Sequence, residues 1–231
     1  MYNVACIKWG TKFDADYVNK LYAGVKRHTT VPIKFFCFTE NPVGLHPDII
    51  THDFGYPNIE GWWQKLWLFS DDMDVNRSPQ GRVLFIDLDT LITGNIDHYV
   101  TQDRGFVCLR DLWSGGINVG SAMMSFEMGK HTQIWNTFEK NPAAAIASLS
   151  PHGDQKWIQQ HQPERIYWQD LYQNEILSFK SHCRNGLPKN ARIVCYHGLP
   201  SIVESLTITT RVQGFVIPPT PWVADHWKVG E

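Results

Sequence analysis

Cysteine is scarce in this 231-residue chain: five residues, without a CxxC pair, are too few and too oddly numbered for a disulfide scaffold or a zinc site. Cys6, Cys37, Cys108, Cys183 and Cys195 fall mostly in apolar runs and read as reduced core residues, which points to the cytoplasm. Charge of one sign is missing too. Lys and Arg number 21 against 23 Asp and Glu, so no basic excess advertises nucleic acid or an anionic membrane. No apolar run reaches the length of a membrane span, and the first residues form a strand pattern, so neither a signal peptide nor a transmembrane segment is expected. Repeats, low-complexity segments and internal linkers are also lacking. With 43% hydrophobic residues the chain can bury a large core, and one domain is expected over 1–231, its core about 1–200 and its tail 201–231 wrapping the outside.

What is present is an alternation of strand and helix. Strands are expected at 2–9, 33–39 and 49–52. Between the first two, Tyr17, Val18, Leu21, Tyr22 and Val25 recur at helical spacing over 14–28, with Asp14 as N-cap. A loop bearing Gly55, Pro57 and Gly61 leads to a helix over 62–71, and Ser78-Pro79-Gln80-Gly81 marks a turn before the apolar run from Val83 to Leu91. Further strands at 105–109 and 118–126 flank a polar loop containing Arg110, Asp111, Gly115 and Gly116. Helices follow from Gly129 through Phe138 and from Asp154, then a late strand at 192–196. Such alternation with short connections predicts an α/β fold with a mainly parallel, Rossmann-like sheet covered on both faces, and an irregular C-terminal tail.

The apolar run contains Asp87-Leu88-Asp89. Alternation along a strand points the two carboxylates the same way and Leu88 into the packing. Two acids at the mouth of a buried strand repel each other and resist desolvation unless something positive sits between them, and a divalent cation is the usual solution. The carboxyl end of a central strand is also where ligands collect in open α/β sheets.

The chain carries other motifs in a fixed order: Trp9-Gly10-Thr11, Tyr17 and Lys65 before the acidic pair, then Asn118-Val119-Gly120, Gly153-Asp154-Gln155 and Cys195-Tyr196-His197-Gly198. In this order they resemble the A-type glycosyltransferases, and within them the retaining, metal-dependent family 8 that includes glycogenin and lipopolysaccharide galactosyltransferases. The resemblance runs from the first strand to about Pro200. It implies a single glycosyltransferase domain and a nucleotide-sugar donor, a uridine diphosphate sugar first. The donor would be bound by Trp9, Gly10, Thr11, Tyr17, Lys65, Asn118, Gly120 and Gly198, with Tyr17 on the nucleobase. It further implies Asp87, Asp89 and His197 as ligands of Mn2+ or Mg2+, the imidazole favouring manganese, and Gln155 with Asp154 under the reacting sugar. The acceptor is open: glycan, lipid-linked saccharide, protein or modified nucleic-acid base.

One departure stands out. The family's histidine motif continues to a glycine and a diphosphate-clamping lysine, whereas His197-Gly198-Leu199-Pro200-Ser201 brings none, leaving Lys12, Lys65 or Arg211 to supply the charge. Two other readings stay open: Asp87-Leu88-Asp89-Thr90 also fits a haloacid-dehalogenase phosphatase motif, and ten tryptophans could serve an inactive carbohydrate-binding protein.

Overall fold

The computed structural model describes residues 1–53, 59–71, 78–149, 152–212 and 214–230. Gly55 and Pro57 of the expected loop lie outside them. A seven-stranded sheet forms the centre, in the order β3-β2-β1-β4-β7-β6-β8. Its strands are β1 (Tyr2–Lys8), β2 (Ile33–Thr39), β3 (Ile50–His52), β4 (Arg82–Ile86), β6 (Val107–Arg110), β7 (Val119–Glu127) and β8 (Ile166–Tyr167). β3, β2, β1 and β4 run parallel, β7 runs antiparallel between β4 and β6, and β8 pairs parallel with β6. A second sheet joins β5 (Thr90–Ile92), β10 (Ile193–Cys195) and β9 (Ile176–Ser178), and β11 (Thr210–Val212) pairs with β12 (Phe215–Ile217).

Each central strand serves two cores. Ala5, Phe36, Phe38, Val83 and Phe85 face one apolar cluster, while Val4, Cys6, Phe35, Cys37, Leu84 and Ile86 face the other. That is the two-sided burial expected of parallel strands under helices. The helices are α1 (Ala15–Arg27), α2 (Asp97–Val100), α3 (Gln133–Phe138), α4 (Pro142–Leu149), α5 (Gly153–His161), α6 (Trp168–Leu171), α7 (Ile202–Thr207) and α8 (Val223–His226). Asp14 caps α1 as the sequence predicts, accepting from Tyr17 N at 3.2 Å. All five cysteines are free and buried. Among the described residues no helix is long and apolar enough to cross a membrane.

The segment expected to be a helix over 62–71 is instead a 3-10 helix, Gly61–Phe69, in which every residue from Trp63 to Phe69 is buried. An amphipathic α-helix would leave one face in water. This stretch is enclosed on all sides, with Trp63 stacked on Phe138 of α3 at 5.5 Å, and the tighter helix spares it a solvent face. Lys65 is therefore buried, not solvated. The tail from Ser201 folds back on α1: Arg27 donates to the carbonyls of His226, Lys228 and Gly230, and Trp227 packs edge-on against Tyr17.

Candidate functional site

β4 and β1 are parallel and β7 is antiparallel to them, so the C-terminal ends of β1 and β4 and the start of β7 meet on one edge of the sheet. Asp87, Leu88 and Asp89 lie just past β4, in a turn between the two sheets, not within a strand. Asp87 N donates to Ala122 O at 2.8 Å, which ties the turn to β7, and Leu88 is buried as alternation predicts. The second sheet brings in the rest. Cys195 pairs with Thr90, Tyr196 N donates to Asp89 O at 2.9 Å, and His197 follows at once.

Beneath the turn lies an ionic knot. Lys65 Nζ stands 2.9 Å from Asp87 Oδ2 and 3.4 Å from Asp154 Oδ2, and donates to Ser121 Oγ at 3.0 Å. Burial alone would push the ammonium's pKa down, but the carboxylates of Asp154, Asp87 and Asp89 outweigh it and raise it. Asp154 sits in the first turn of α5, whose N-cap is His152, so it is not the cap but the buried partner of Lys65. Asp89 has no salt-bridge partner among the described residues. Burial first, then the neighbouring Asp87 charge, pushes its carboxyl up to about 7. Asp87 is also raised by burial, against the pull of Lys65.

His197 reaches this edge, but its Nε2 pairs with Ser178 Oγ at 2.7 Å. Burial and the nearby Lys180 charge lower its pKa to about 4, so the ring is neutral, the form that can bind a metal. Among the described residues no group of three or more His, Cys, Asp or Glu side chains is assembled as a metal site. The backbone thus gathers Asp87, Asp89 and His197, while the Asp87 side chain is bonded to Lys65 and that of His197 to Ser178.

The remaining expected residues divide. Asn118 and Gln155 line a cleft of about 380 Å³ with Asp111, Trp113, Ser114 and Lys156. A larger hollow of about 570 Å³, between Asn174 and Asn190, contains none of the expected residues. Gly10 N donates to Glu40 Oε1 at 2.7 Å, pinning the loop of Trp9 and Thr11 beside β2. Tyr17 packs between Phe13 and Trp227 at 4.8 and 5.1 Å, so its ring serves the contact between α1 and the tail. Gly120 has a packing reason: a Cβ there would meet Leu109 Cβ at 3.1 Å across the β6–β7 pair. Gly198, at φ +71°, lies beside the Lys180 ammonium. Of the candidate phosphate cations, Lys65 is held by carboxylates, and Arg211 is exposed on β11. Lys12 is exposed but close enough to Asp87 and Asp89 to lower both pKa values.

Trp113 and Lys180 were not singled out by sequence. Trp113 stands on a loop shaped by Asp111, whose Oδ1 accepts from Trp113 N at 2.9 Å, and by Gly115 and Gly116 at φ +61° and +62°. The polar loop with its paired glycines was the available signal.

No protein-family model matches the sequence, and no curated protein matches it. Solved structures do share the fold. The glycosyltransferase GlyE of Streptococcus pneumoniae TIGR4 superposes with a TM-score of 0.60 at 12% identity over 87% of this chain. This chain spans about half of GlyE, 56% of its length. The galactosyltransferase LgtC, in complex with donor and acceptor sugar analogs, gives 0.58 at 13% identity, covering 87% of this chain and 88% of LgtC. An LgtC variant with an active-site glutamine changed to glutamate gives 0.58 at 12% identity, covering 87% and 89%. The fold is therefore the A-type glycosyltransferase fold that the motif order resembles.

Proposed function

We propose that the chain is a glycosyltransferase that transfers a sugar, with retention, from a nucleoside-diphosphate donor, a uridine diphosphate sugar first. The observation that carries this reading is the acidic turn Asp87-Leu88-Asp89 on the sheet edge of a glycosyltransferase fold, next to a cleft lined by Asn118 and Gln155.

The donor set fits a hard divalent cation, manganese before magnesium. Asp87 and Asp89 are partly buried carboxylates with raised proton affinity, and Asp89 lacks a counter-charge within salt-bridge distance among the described residues. Asp87 and Asp89 would hold the cation, with neutral His197 as third ligand. The cation would neutralise charge growing on the diphosphate leaving group. Lys65 and Asp154 fix the floor, since a buried ion pair tied to Ser121 holds the start of α5 in place. Gln155, on the first turn of α5, presents a carboxamide to the cleft. A carboxamide cannot readily act as the general base that inversion needs, so it suits orientation of the sugar in a retaining reaction. The active-site glutamine of LgtC supports that assignment.

We place the protein in the cytoplasm, which suits five buried free thiols. The acceptor class is open among glycan, lipid-linked saccharide, protein and modified base. A thermal-shift screen of nucleotide sugars with and without Mn2+ tests the reading, because a bound donor raises Tm by mass action. Stabilisation by a uridine diphosphate sugar only with the cation is expected; no stabilisation by any nucleotide would sink it.

A further inference from the structure

Three lysines are buried among the described residues: Lys8, Lys65 and Lys180. Lys8 donates to Asn41 O and Lys65 is clasped by carboxylates. The Lys180 side chain is largely covered, 5% exposed, and among the described residues Nζ has no hydrogen-bond acceptor and no acid within salt-bridge distance. Burial of the stem lowers the ammonium's pKa, and no acid opposes that shift. Among the described residues its attractive neighbour is the Trp113 ring, whose centroid lies 5.6 Å from Nζ. A cation over an aromatic face recovers part of what burial costs.

Its address is specific. β9 ends at Ser178, in register with Cys195 of β10, which in turn faces Thr90 just after the acidic turn. Lys180 therefore stands two residues past a strand end, on the edge that carries Asp89 and His197. Phe179 stacks on Tyr196 at 4.3 Å, and Ser178 Oγ pairs with His197, so the backbone on both sides is fixed. The segment Phe179–Cys183 is a π-helical turn, a local widening that often marks functional positions. The ammonium lies 3.7 Å from where a Cβ of Gly198 would be, an ordinary contact distance that places it beside the residue following His197.

We propose that Lys180 binds the diphosphate of the donor, supplying from the turn after β9 the charge that the sequence after His197-Gly198 lacks. This rests on the nucleoside-diphosphate reading above. An ammonium on a largely covered side chain, with no acid in reach, is ready for an anion, and a phosphate oxygen would provide both the missing acceptor and the missing charge. Trp113 holds the side chain in position until the anion arrives.

Calorimetry with Mn2+ present, using UDP and uridine as probes, tests it on the wild type and on Lys180→Met and Lys180→Arg. A charge-assisted hydrogen bond of this kind corresponds to about 10–100-fold in Kd. Lys180→Met should lose that factor for UDP and keep its uridine affinity, and Lys180→Arg should retain most of the UDP affinity. Tm of Lys180→Met should stay close to the wild type's, since no hydrogen bond or ion pair among the described residues is lost. UDP binding by Lys180→Met within about twofold of wild type, a factor inside RT, overturns the assignment and leaves the nucleotide reading standing. A fall in Tm with Lys180→Arg no better than Lys180→Met for UDP assigns the residue to packing and also overturns it. A wild type that binds no UDP overturns both readings together.

Discussion

Replacing Lys65 by methionine keeps the stem and removes the charge under the acidic turn. Nζ lies 2.9 Å from Asp87 and 3.4 Å from Asp154, and its side chain is only 7% exposed. Its pKa is raised above the ordinary 10.5 because Asp154, Asp87 and Asp89 outweigh the burial that would lower it. A cation with a raised folded pKa contributes its full stability below the unfolded value and loses it only as pH climbs through the folded one, so the wild-type contribution is complete at pH 7.5. Opposite charges at this range interact by about 4 kcal/mol at an effective dielectric near 20. Removing one member of a buried pair costs about 3–5 kcal/mol, because the other is stranded. Asp154 is the stranded group: its side chain is 5% exposed, and Oδ2 has no hydrogen bond. Lys65→Met should therefore lose about 3–5 kcal/mol at pH 7.5, a third or more of the stability of an ordinary domain. Loss of the lysine removes the pull that holds Asp87's burial-raised pKa down, so Asp87 is protonated more readily and the variant's stability falls as pH rises. The gap to wild type should thus narrow by about 2–3 kcal/mol on going to pH 5. Urea denaturation followed by tryptophan fluorescence, with a chelator present, measures both. A loss under about 1 kcal/mol at pH 7.5, or an equal loss at both pH values, would refute the buried ion-pair account, as would failure of Lys65→Met/Asp154→Asn to recover part of it.

Metal-free protein should lose stability between pH 4 and 7, because the folded state keeps a proton on Asp89, raised from 3.8 to about 7, that the unfolded chain has released. Asp89→Asn should flatten that slope, by at most about 4 kcal/mol in a chelator-treated pH series. Gly153→Ala should lower Tm, since φ +66° costs an alanine about 1–2 kcal/mol and its Cβ would fall 2.9 Å from Trp62 Cδ1. Unchanged Tm would show that the α5 start can shift. Gln155→Ala should cut kcat about 10–100-fold with little change in donor Kd, because its contact would strengthen mainly in the transition state. Proton magnetic resonance of the first-formed anomer checks the stereochemistry.

The parts of the fold that were legible in the sequence are those in which local pattern and tertiary environment agree. α1 shows an apolar stripe and a capping aspartate, and β2 occupies the expected 33–39 because its buried run needs both faces covered. Where the environment overrides the pattern, the reading missed. Trp62, Trp63, Leu66 and Trp67 have spacing compatible with an α-helix, yet enclosure on every side selects a 3-10 helix and buries Lys65. Site residues followed the same division. Asp87 and Asp89 announce themselves because two acids stand in an apolar run. Asp154 was visible, but its partner was not, since the approach of Lys65 depends on how the 3-10 helix seats against α5. Lys180 carried no signal: its role comes from the β9–β10 register, which places it beside residues seventeen positions away in the chain. Gly120, read as lining a sugar, also has a packing reason in the close approach of β6.

Charge balance ties these residues together. The carboxylates of Asp87, Asp89 and Asp154 crowd around Lys65, with Lys12 farther out, so acids outnumber the cations near them where the sheet edge excludes much of the water. Asp89 takes the strain, its pKa rising to about 7. A divalent cation is the smallest addition that balances such a turn, and it would arrive where an anion alone would be repelled. Lys180 is the converse case on the same edge, a cation with no acid within salt-bridge distance among the described residues. Separate surpluses of opposite sign on one edge are unfavourable for folding by themselves. On the proposed reading, a ligand that presents a cation to the acids and a phosphate to the lysine would meet both at once, the charge pattern of a metal-bound nucleoside diphosphate.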